Sequence, residues 1–349
     1  MNIAFLVGRS INGGGAERAS VNLANETANS LNRVFVFSGP RAVDDYSLNH
    51  KVHRVIVFYQ YYLMDCLRLI KAIKKNSIDV VIAMGIYASL CACLVRFFIN
   101  VKVIVSERNS PKHDLISWKS KLLRFLLYRL ADGFVFQTKQ AKEFYSKEIQ
   151  KRSVVIHNPI KPNLPIKSIL EKKEIVAVGR LEQQKNYPLL IEAFSLVHKN
   201  YPEFILKIYG RGKEEKRLSN IVNKLNLTDN VLFQGFSDDV HNKIKDAQIF
   251  VLSSSFEGMP NSLMEAMAMG FPVVSTDCPC GGPGELIINE VNGLLVQSNP
   301  NDLAKALCKL IDSQKLRKSI GEKASCISKT HNVSLIANQW LKFIEQLVV

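Results

Sequence analysis

Short apolar runs alternate with amphipathic segments along the whole chain, and this alternation predicts its secondary structure. Apolar runs that end in small polar residues are typical of strands buried on both faces of a parallel sheet. The stretches between them have apolar residues at helical spacing, which gives the β–α–β order of a doubly wound parallel sheet. Strands are predicted at 3–8, 34–38, 52–58, 80–85, 102–106, 133–137, 154–157, 174–179, 204–209, 231–234, 249–253, 272–276 and 293–296. Helices are predicted at 16–30, 62–75, 87–98, 118–131, 139–148, 301–312, 314–328 and 333–347, and others lie between the later strands.

A proline-rich segment divides the chain. Residues 158–166 read NPIKPNLPI, and these prolines are incompatible with a helix or a central strand. The length of 349 residues also suits two hydrophobic cores better than one. We therefore predict an α/β protein with two doubly wound, Rossmann-like domains, residues 1–165 and 166–332, that face a cleft. The helix at 333–349 is a candidate to pack back on the first domain.

The net charge of +15 is unevenly distributed along the chain. Residues 1–160 hold 23 Lys and Arg against 11 Asp and Glu, whereas residues 161–349 hold 23 against 20. This asymmetry favours an anionic partner for the first half, either a membrane surface, an anionic lipid-linked substrate or nucleic acid, with a partnerless basic face as the alternative. The basic residues of the first half are not interleaved with aromatic residues at stacking spacing, which argues against nucleic acid as the partner. The stretch 118–130, WKSKLLRFLLYRL, could lie on an anionic membrane or could pack on the core with a basic outer face.

Composition excludes several classes of protein. No window holds the roughly 18 uncharged apolar residues that a membrane-spanning helix needs. The start, MNIAFLVGRS, lacks a basic leader, so we interpret it as a strand and not as a signal peptide. The seven cysteines are scattered without a CxxC pair, which favours reduced thiols and argues against a zinc site.

The candidate ligand site lies in the loop at 256–262, after the predicted strand 249–253, because open parallel sheets bind ligands at the carboxyl ends of their strands. A helix that begins at Asn261 or Ser262 would point its free N–H groups at a phosphate. The carboxylates of Glu257 and Glu265 would accept hydrogen bonds from hydroxyls. Two alternatives stay open: Glu265 follows Ser262 at capping-box spacing, and Glu257, without a predicted cationic neighbour, could be an ordinary solvated carboxylate.

Arg180 and Lys185 follow the first strand of the second domain. Two cations at the carboxyl end of a strand in the same sheet would form a clamp for a diphosphate. The alternative for each residue is ordinary surface charge.

These residues belong to a longer series of motifs. In chain order the series is Gly179-Arg180 with Lys185, Tyr209-Gly210, Gly235-Phe236, EGMPNSLMEA from Glu257, and Gly281 to Glu285 followed by Asn292-Gly293-Leu294. It resembles the retaining glycosyltransferases of family 4, which have the GT-B fold. The segment EGMPNSLMEA is similar to that of bacterial enzymes that extend lipid-linked oligosaccharides and capsular or exopolysaccharides.

The resemblance implies a role for each matching residue. Arg180 and Lys185 match the pair that neutralises the donor diphosphate. Glu265 matches the glutamate that holds the ribose hydroxyls, and Glu257 the one that contacts the donor sugar. Gly235 and Phe236 match the positions where the family packs the nucleobase. The other donor-binding positions that the resemblance implies are Gly179, Gly210, Gly258, Met259, Pro260, Asn261 and Ser262.

In the first domain, the segment 13–18, GGGAER, resembles the family's glycine loop, which faces the phosphates and the acceptor. This implies donor contacts for Gly14 and Gly15 and an acceptor-side role for Glu17. A dinucleotide fingerprint fails, because GxGxxG is absent and the strand 34–38 is not followed by an acidic residue that would read a ribose.

One position departs from the family pattern. Many members carry a histidine after a first-domain strand, where this chain reads Glu107-Arg108-Asn109. Glu107 or Arg108 could fill that position on the acceptor side, or His113 could reach in, and the sequence does not decide between them.

The resemblance implies a retaining glycosyltransferase. The expected donor is a nucleotide diphosphate sugar, with uridine as the base and a hexose or N-acetylhexosamine as the sugar, and the expected acceptor is a glycan or polyprenyl-linked glycan in surface polysaccharide synthesis. Neither a metal nor another cofactor is expected. The expected location is the cytoplasm, with peripheral attachment to the inner face of the membrane. The alternatives are a sugar-nucleotide epimerase on the same fold and a nucleic-acid-binding protein.

Overall fold

The computed structural model describes residues 1–8, 11, 14–42, 45–59, 62–112 and 117–348 of the chain. It divides into two compact units, one formed by Met1–Pro159 with His331–Val349 and the other by Ile160–Thr330. The strands are β1 (Asn2–Val7), β2 (Arg33–Ser38), β3 (Val52–Ile56), β4 (Val80–Met84), β5 (Lys102–Ser106), β6 (Gly133–Phe136), β7 (Ser153–Val155), β8 (Lys172–Val178), β9 (Ile205–Tyr209), β10 (Val231–Gly235), β11 (Ala247–Leu252), β12 (Val273–Thr276) and β13 (Leu294–Val296).

The helices alternate with these strands and then close the chain. They are α1 (Gly15–Thr27), α2 (Tyr62–Lys75), α3 (Ile86–Phe98), α4 (Trp118–Leu127), α5 (Lys139–Glu143), α6 (Lys147–Lys151), α7 (Tyr187–His198), α8 (Glu215–Lys224), α9 (Val240–Ile244), α10 (Asn261–Ala268), α11 (Gly282–Leu286), α12 (Pro300–Asp312), α13 (Gln314–Ser325), α14 (Ile327–Thr330) and α15 (Val333–Val348). Short 3₁₀ helices lie at Tyr128–Leu130 and Gln183–Lys185.

Each unit is built on one parallel sheet. The strand order is β3-β2-β1-β4-β5-β6-β7 in the first unit and β10-β9-β8-β11-β12-β13 in the second. The predicted pair of doubly wound α/β sheets is therefore confirmed. In both sheets the chain order reverses beside the first strand, between β1 and β4 and between β8 and β11. Such a reversal opens a crevice at the carboxyl ends of those two strands, which is where sheets of this kind bind ligands.

The inner strands β8, β11 and β12 of the second sheet are buried along their apolar runs, as such runs predict. Ile175 and Ala177 of β8 pack in one apolar cluster, while the intervening Val176 packs in another on the opposite face. Phe250 of β11 joins Val176, and Val251 joins Ile175. The sheet thus has an apolar layer on each side, and this rigid double layer holds the loops at its edge.

Helix α15 packs on the first unit. It contacts α1, and its side chains Ile336, Trp340 and Ile344 are buried in the same apolar cluster as Ile3 and Phe5 of β1. The C-terminal helix therefore completes the core of the first unit.

The predicted helix at 139–148 is wrong as a single element. The chain forms α5 and α6 instead, with Thr138 capping the first through its hydroxyl, which accepts from the Ala141 N–H at 3.0 Å. Between the two helices, the ring of Tyr145 stacks on Phe136 with centroids 5.0 Å apart. The aromatic contact takes Tyr145 out of the helical path.

The orientation of α4 contradicts the alternative in which its apolar side chains pack on the core and its basic side chains face outward. Its apolar side chains face solvent, with Trp118 69% and Phe125 57% exposed, while Arg124 is its buried residue. The Arg124 guanidinium donates to the Pro111 carbonyl at 2.9 Å. Because the helix turns this cation inward, its leucines and aromatic rings are left on the surface. Within the described residues, no helix combines the length and apolar character needed to cross a bilayer.

Candidate functional site

The loops after β8 and β11 meet at the crevice of the second sheet. These strands are hydrogen-bonded neighbours, so the residues that follow them emerge side by side. Lys185, in the loop after β8, donates from Nζ to Oε1 of Glu257, in the loop after β11, at 2.5 Å. The two side chains are 15% and 7% exposed. The structure therefore joins two predicted site residues that lie 72 positions apart.

Glu257 is a buried carboxylate, so its interpretation as an ordinary solvated side chain is wrong. Its Oε1 also accepts from the Ser254 hydroxyl at 2.7 Å. Gln184 donates to its Oε2 at 3.4 Å and to the carbonyl of Phe256 at 3.1 Å. A buried charge is tolerated only where partners of this kind compensate it. The sequence prediction did not include Ser254 or Gln184, because nothing in the local pattern shows where their side chains point.

The surrounding groups respond to burial and to this charge. Burial, with a smaller contribution from the charge on Glu257, raises the pKa of the Cys278 thiol to about 12. The same two causes, in the same order, raise the pKa of Tyr187, whose hydroxyl donates to the Gly179 carbonyl at 3.0 Å. Both groups are therefore neutral near pH 7 and act as packing and hydrogen-bonding groups. All seven cysteines lie in the described part of the chain, and none of them forms a disulfide.

Gly179 and Gly210 allow two loops to approach each other closely. A Cβ at Gly210 would lie 1.9 Å from the carbonyl oxygen of Gly179, a distance that no side chain tolerates, and Gly210 has φ of +146°. The Gly210 N–H in turn donates to the carbonyl of Gly235 at 2.8 Å. The three glycines therefore lie close together at the carboxyl edge of β8, β9 and β10, where Gly235 pairs with Tyr209. Phe236 follows Gly235, and its ring is 55% exposed.

The loop from Gly258 to Pro260 leads into α10, which begins at Asn261. Pro260 is the N-cap and no side chain caps the helix, and a helix start of this kind points the N–H groups of its first turn toward the preceding loop. The side chain of Met259 is 5% exposed and lies in the apolar core. Any ligand contact of Met259 is therefore through its backbone, whereas Asn261 and Ser262 are half-buried at the helix start.

Glu265 lies one turn into α10 and is buried. The capping-box alternative does not hold, because Ser262 is the second helical residue and not the N-cap. Oε2 of Glu265 lies 2.9 Å from Nε2 of His241, and both side chains are 7% exposed. His241 lies on α9, 24 residues from Glu265 along the chain, and no sequence motif marks it as a site residue.

Arg180 differs from Lys185 in being exposed. Its side chain makes no hydrogen bond or ion pair with the residues that the structure describes. The next residue, Leu181, donates its backbone N–H to the carbonyl of Arg211 at 3.0 Å. The backbone at Arg180 is thus held while its guanidinium is available to an anion. The proposed clamp therefore consists of one exposed cation and one already paired with a carboxylate.

The glycine loop of the first unit leads into α1. Gly14 is the N-cap, Gly15 is exposed and Gly13 lies outside the described residues. The half-buried carboxylate of Glu17 folds back over the helix start, with Oε2 1.8 Å from where a Cβ of Gly14 would be. An acidic group at this place is favoured by the helix dipole. This position supports a structural role for Glu17.

Glu107 follows β5 and is 2% exposed. Burial raises the pKa of its carboxyl, and the opposing effects come from Tyr128, which donates to Oε1, and then from the charge of Arg124. Its carboxyl is therefore closed off from solvent in the interior of the unit. No pattern in the sequence indicates that Tyr128 and Arg124 are neighbours of Glu107.

Arg108 is half-buried, and the structure records no carboxylate partner for it among the described residues. It donates to Oδ1 of Asn158 at 2.6 Å and to the sulfur of Met84 at 2.8 Å, and its guanidinium lies 5.6 Å from the ring centre of Trp340. Burial lowers the pKa of Arg108 to about 10. Asn109 follows it and is half-buried, while His113 lies outside the described residues.

No three His, Cys, Asp or Glu side chains within the described ranges form a group that could hold a metal ion.

Comparisons with known proteins cover both units. The family model described as Glycosyltransferase Family 4 matches residues 13–164, and the one described as Glycosyl transferases group 1 matches residues 162–325. An uncharacterized glycosyltransferase of Haemophilus influenzae is 27% identical over 352 residues, which span 97% of this chain and 98% of the relative.

A second relative has a more specific name. It is the N-acetylgalactosamine-N,N'-diacetylbacillosaminyl-diphospho-undecaprenol 4-alpha-N-acetylgalactosaminyltransferase of Campylobacter jejuni, 30% identical over 268 residues, or 72% of each chain. Among solved structures, Anabaena HepE in complex with UDP and glucose is similar with a TM-score of 0.85 at 19% identity, over 99% of this chain and 100% of that chain.

Proposed function

The chain belongs to the family 4 glycosyltransferases, with the GT-B fold, and we propose that it is a retaining enzyme that uses a UDP sugar. The sugar is a hexose or an N-acetylhexosamine, and the acceptor is a lipid-linked glycan in surface polysaccharide synthesis. The name of the Campylobacter jejuni relative supports this acceptor, since it specifies a diphospho-undecaprenol carrier. The HepE complex with UDP and glucose supports the donor class.

The observation that carries the proposal is the Lys185–Glu257 pair, held at 2.5 Å in the crevice between β8 and β11. A lysine ammonium has three donors, so Lys185 can hold Glu257 and a phosphate oxygen together. Arg180, exposed beside it, supplies the second cation. Glu257 keeps acceptor capacity for hydroxyls of the sugar, and Glu265 for those of the ribose. The exposed ring of Phe236 offers a surface for the base.

The proposed reaction is a transfer with retention of the anomeric configuration. The acceptor hydroxyl attacks the anomeric carbon from the face that the diphosphate leaves, so a new carbon–oxygen bond forms as the bond to the phosphate breaks. The electron pair goes to the leaving phosphate oxygen, and the same phosphate takes the acceptor proton. The products are the extended glycan and UDP. Arg180, Lys185 and the start of α10 stabilise the developing charge on the diphosphate.

A transfer assay tests this proposal directly. The purified protein is incubated with a panel of UDP, GDP and ADP sugars and a diphosphate-linked lipid acceptor, and the new linkage is assigned by NMR. We expect transfer from a UDP sugar with the anomeric configuration of the donor, and unchanged rates in EDTA because the cations of the protein offset the diphosphate charge. An inverted linkage or loss of turnover in EDTA would contradict the mechanism. An epimer formed without acceptor would favour the epimerase alternative.

We further propose that α4 attaches the protein to an anionic membrane at the cytoplasmic face, where a lipid-linked acceptor would lie. Trp118, Phe125 and their exposed leucine neighbours form an apolar surface, and α3, which packs against α4, adds Phe97 and Phe98 at 70% and 64% exposure. Exposed Lys and Arg side chains border this surface at positions 119, 121 and 129. An apolar face bordered by cations is typical of an interfacial helix.

Vesicle sedimentation tests the surface. We expect the protein to sediment with vesicles that contain phosphatidylglycerol and less with neutral ones, and the double variant Phe125→Ser/Leu126→Ser to lose most of this binding. Ile169→Ser is the matched control, because Ile169 is 96% exposed on the other unit. Equal loss in the control, or no loss in the α4 variant, would contradict the assignment.

A further inference from the structure

Glu265 is held by a histidine from a different element. His241 lies on α9, where its side chain is buried, and its Nε2 is 2.9 Å from Oε2 of Glu265. Ile244 of α9 packs in the same apolar cluster as Leu263 and Met264 of α10. The two side chains therefore meet between two helices whose spacing is fixed by apolar packing.

The chemistry of the pair determines its direction. An ionised carboxylate can only accept hydrogen bonds, so Nε2 of His241 must carry a proton and donate it to Glu265. The carboxylate has about four acceptor positions, so one bond to His241 leaves capacity for other donors. A buried carboxylate without such a bond would lose its charge or its fixed orientation.

We propose that His241 is a positioning residue for the donor nucleotide, which fixes the carboxylate of Glu265 in the orientation that accepts the ribose hydroxyls. The inference rests on the proposed role of Glu265 in binding the ribose. His241 itself does not contact the donor in this account. It acts through Glu265, because a carboxylate that can rotate would bind two adjacent hydroxyls with a greater loss of side-chain freedom.

A purely structural role is the competing explanation, in which the bond only joins α9 to α10. The two explanations predict different effects of removing His241 on nucleotide affinity. If His241 positions Glu265 for the ribose, its removal weakens the ligand only where the ribose hydroxyl is present. If the bond only stabilises the fold, its removal affects every nucleotide alike.

Three variants separate these effects. His241→Phe keeps the size of the ring and removes the donor. His241→Gln places an amide nitrogen near the position of Nε2 and so restores a donor to Glu265. Glu265→Gln tests the ribose contact independently. Binding of UDP and of 2′-deoxy-UDP to each protein is measured by titration calorimetry, and thermal unfolding verifies that each variant is folded.

We expect the wild type to prefer UDP over 2′-deoxy-UDP by about tenfold, a typical effect for one good hydrogen bond. His241→Phe should weaken UDP binding by about tenfold and 2′-deoxy-UDP binding by less than about threefold, so that the preference falls from about tenfold to less than about threefold. His241→Gln should recover most of the preference.

Other results overturn the inference in distinguishable ways. If Glu265→Gln loses the preference and His241→Phe keeps it, the role of His241 is wrong while the donor site stands. The same holds if His241→Phe weakens both ligands equally. If the wild type binds the two nucleotides equally, the ribose role of Glu265 is wrong and the inference about His241 fails with it. If the wild type does not bind UDP, the proposed uridine donor is wrong, and the inference, which rests on it, fails too.

Discussion

Replacing Gly282 with alanine should displace the donor loop. Gly282 is the first residue of α11, and a Cβ there would lie 1.6 Å from the carbonyl oxygen of Gly258 and 2.9 Å from Cδ of Pro260. An ordinary carbon–oxygen contact is about 3.3 Å, so the loop must move by roughly 1.7 Å. The atom that meets the new methyl group is backbone, which cannot rotate away.

The change in the free energy of unfolding has two opposing contributions. Overpacking typically costs about 1–3 kcal/mol, while the loss of glycine freedom in the unfolded chain returns about 0.4–1 kcal/mol. We expect the free energy of unfolding to fall by about 1–2 kcal/mol. The effect on catalysis should be larger, because a displacement of about 1 Å in a binding site can lower the rate about 100-fold.

Gly284→Ala on the same helix is the matched control. A Cβ at Gly284 would meet Oδ1 of Asp277 at 3.5 Å and Cδ2 of Leu295 at 4.0 Å, which are ordinary contacts. Its stability should equal or slightly exceed that of the wild type. Urea unfolding gives the stability, and kcat/KM for the donor sugar gives the catalytic effect. If the kcat/KM of Gly282→Ala lies within threefold of the control, the loop does not depend on this close approach and the reasoning is wrong.

Three further predictions concern charged groups. Arg180→Ala should lower kcat/KM by orders of magnitude without changing the urea midpoint, because Arg180 is exposed and its partner would be the diphosphate; near-normal turnover would remove it from the site. Lys185→Met and Glu257→Gln should each destabilise the protein, and the double variant should cost about 1–3 kcal/mol less than their sum, since the two are one buried ion pair; additive costs in urea unfolding would contradict the pairing. Glu107→Gln should raise the Tm at pH 8, and this gain should vanish as the pH falls toward 4.5, the ordinary pKa of a glutamate carboxyl. Burial raises the pKa of Glu107 in the folded protein. Ionisation of Glu107 at high pH therefore destabilises the fold, and glutamine, which does not ionise, avoids this cost. A Tm difference independent of pH would contradict it.

Most strands were predictable because they contain a short apolar run, such as the fully buried β4 and β11, and burial on both faces of a sheet is a property of the run itself. The prediction of one helix at 139–148 failed because a tertiary contact, Tyr145 on Phe136, overrode the local spacing. The same is true of α4, whose apolar and basic pattern is compatible with two orientations. The buried cation, Arg124, decided between them.

The candidate site was predictable only in part. Glycine, proline and carboxylate spacing placed the donor loop at the end of β11, since parallel strands carry their ligands there. Nothing in that spacing pairs Lys185 with Glu257 or buries His241 against Glu265, because these contacts join residues 72 and 24 positions apart.

Local patterns in the amino-acid sequence thus determined the strands, the two domains, the basic first half and the loop that carries the glutamates. The tertiary structure alone decided which side chains are buried, which are paired and which remain available to an anion. The physical reason is that secondary structure depends on the spacing of neighbours along the chain, whereas the charge state and orientation of a side chain depend on partners that only the packing of distant segments brings within hydrogen-bond distance.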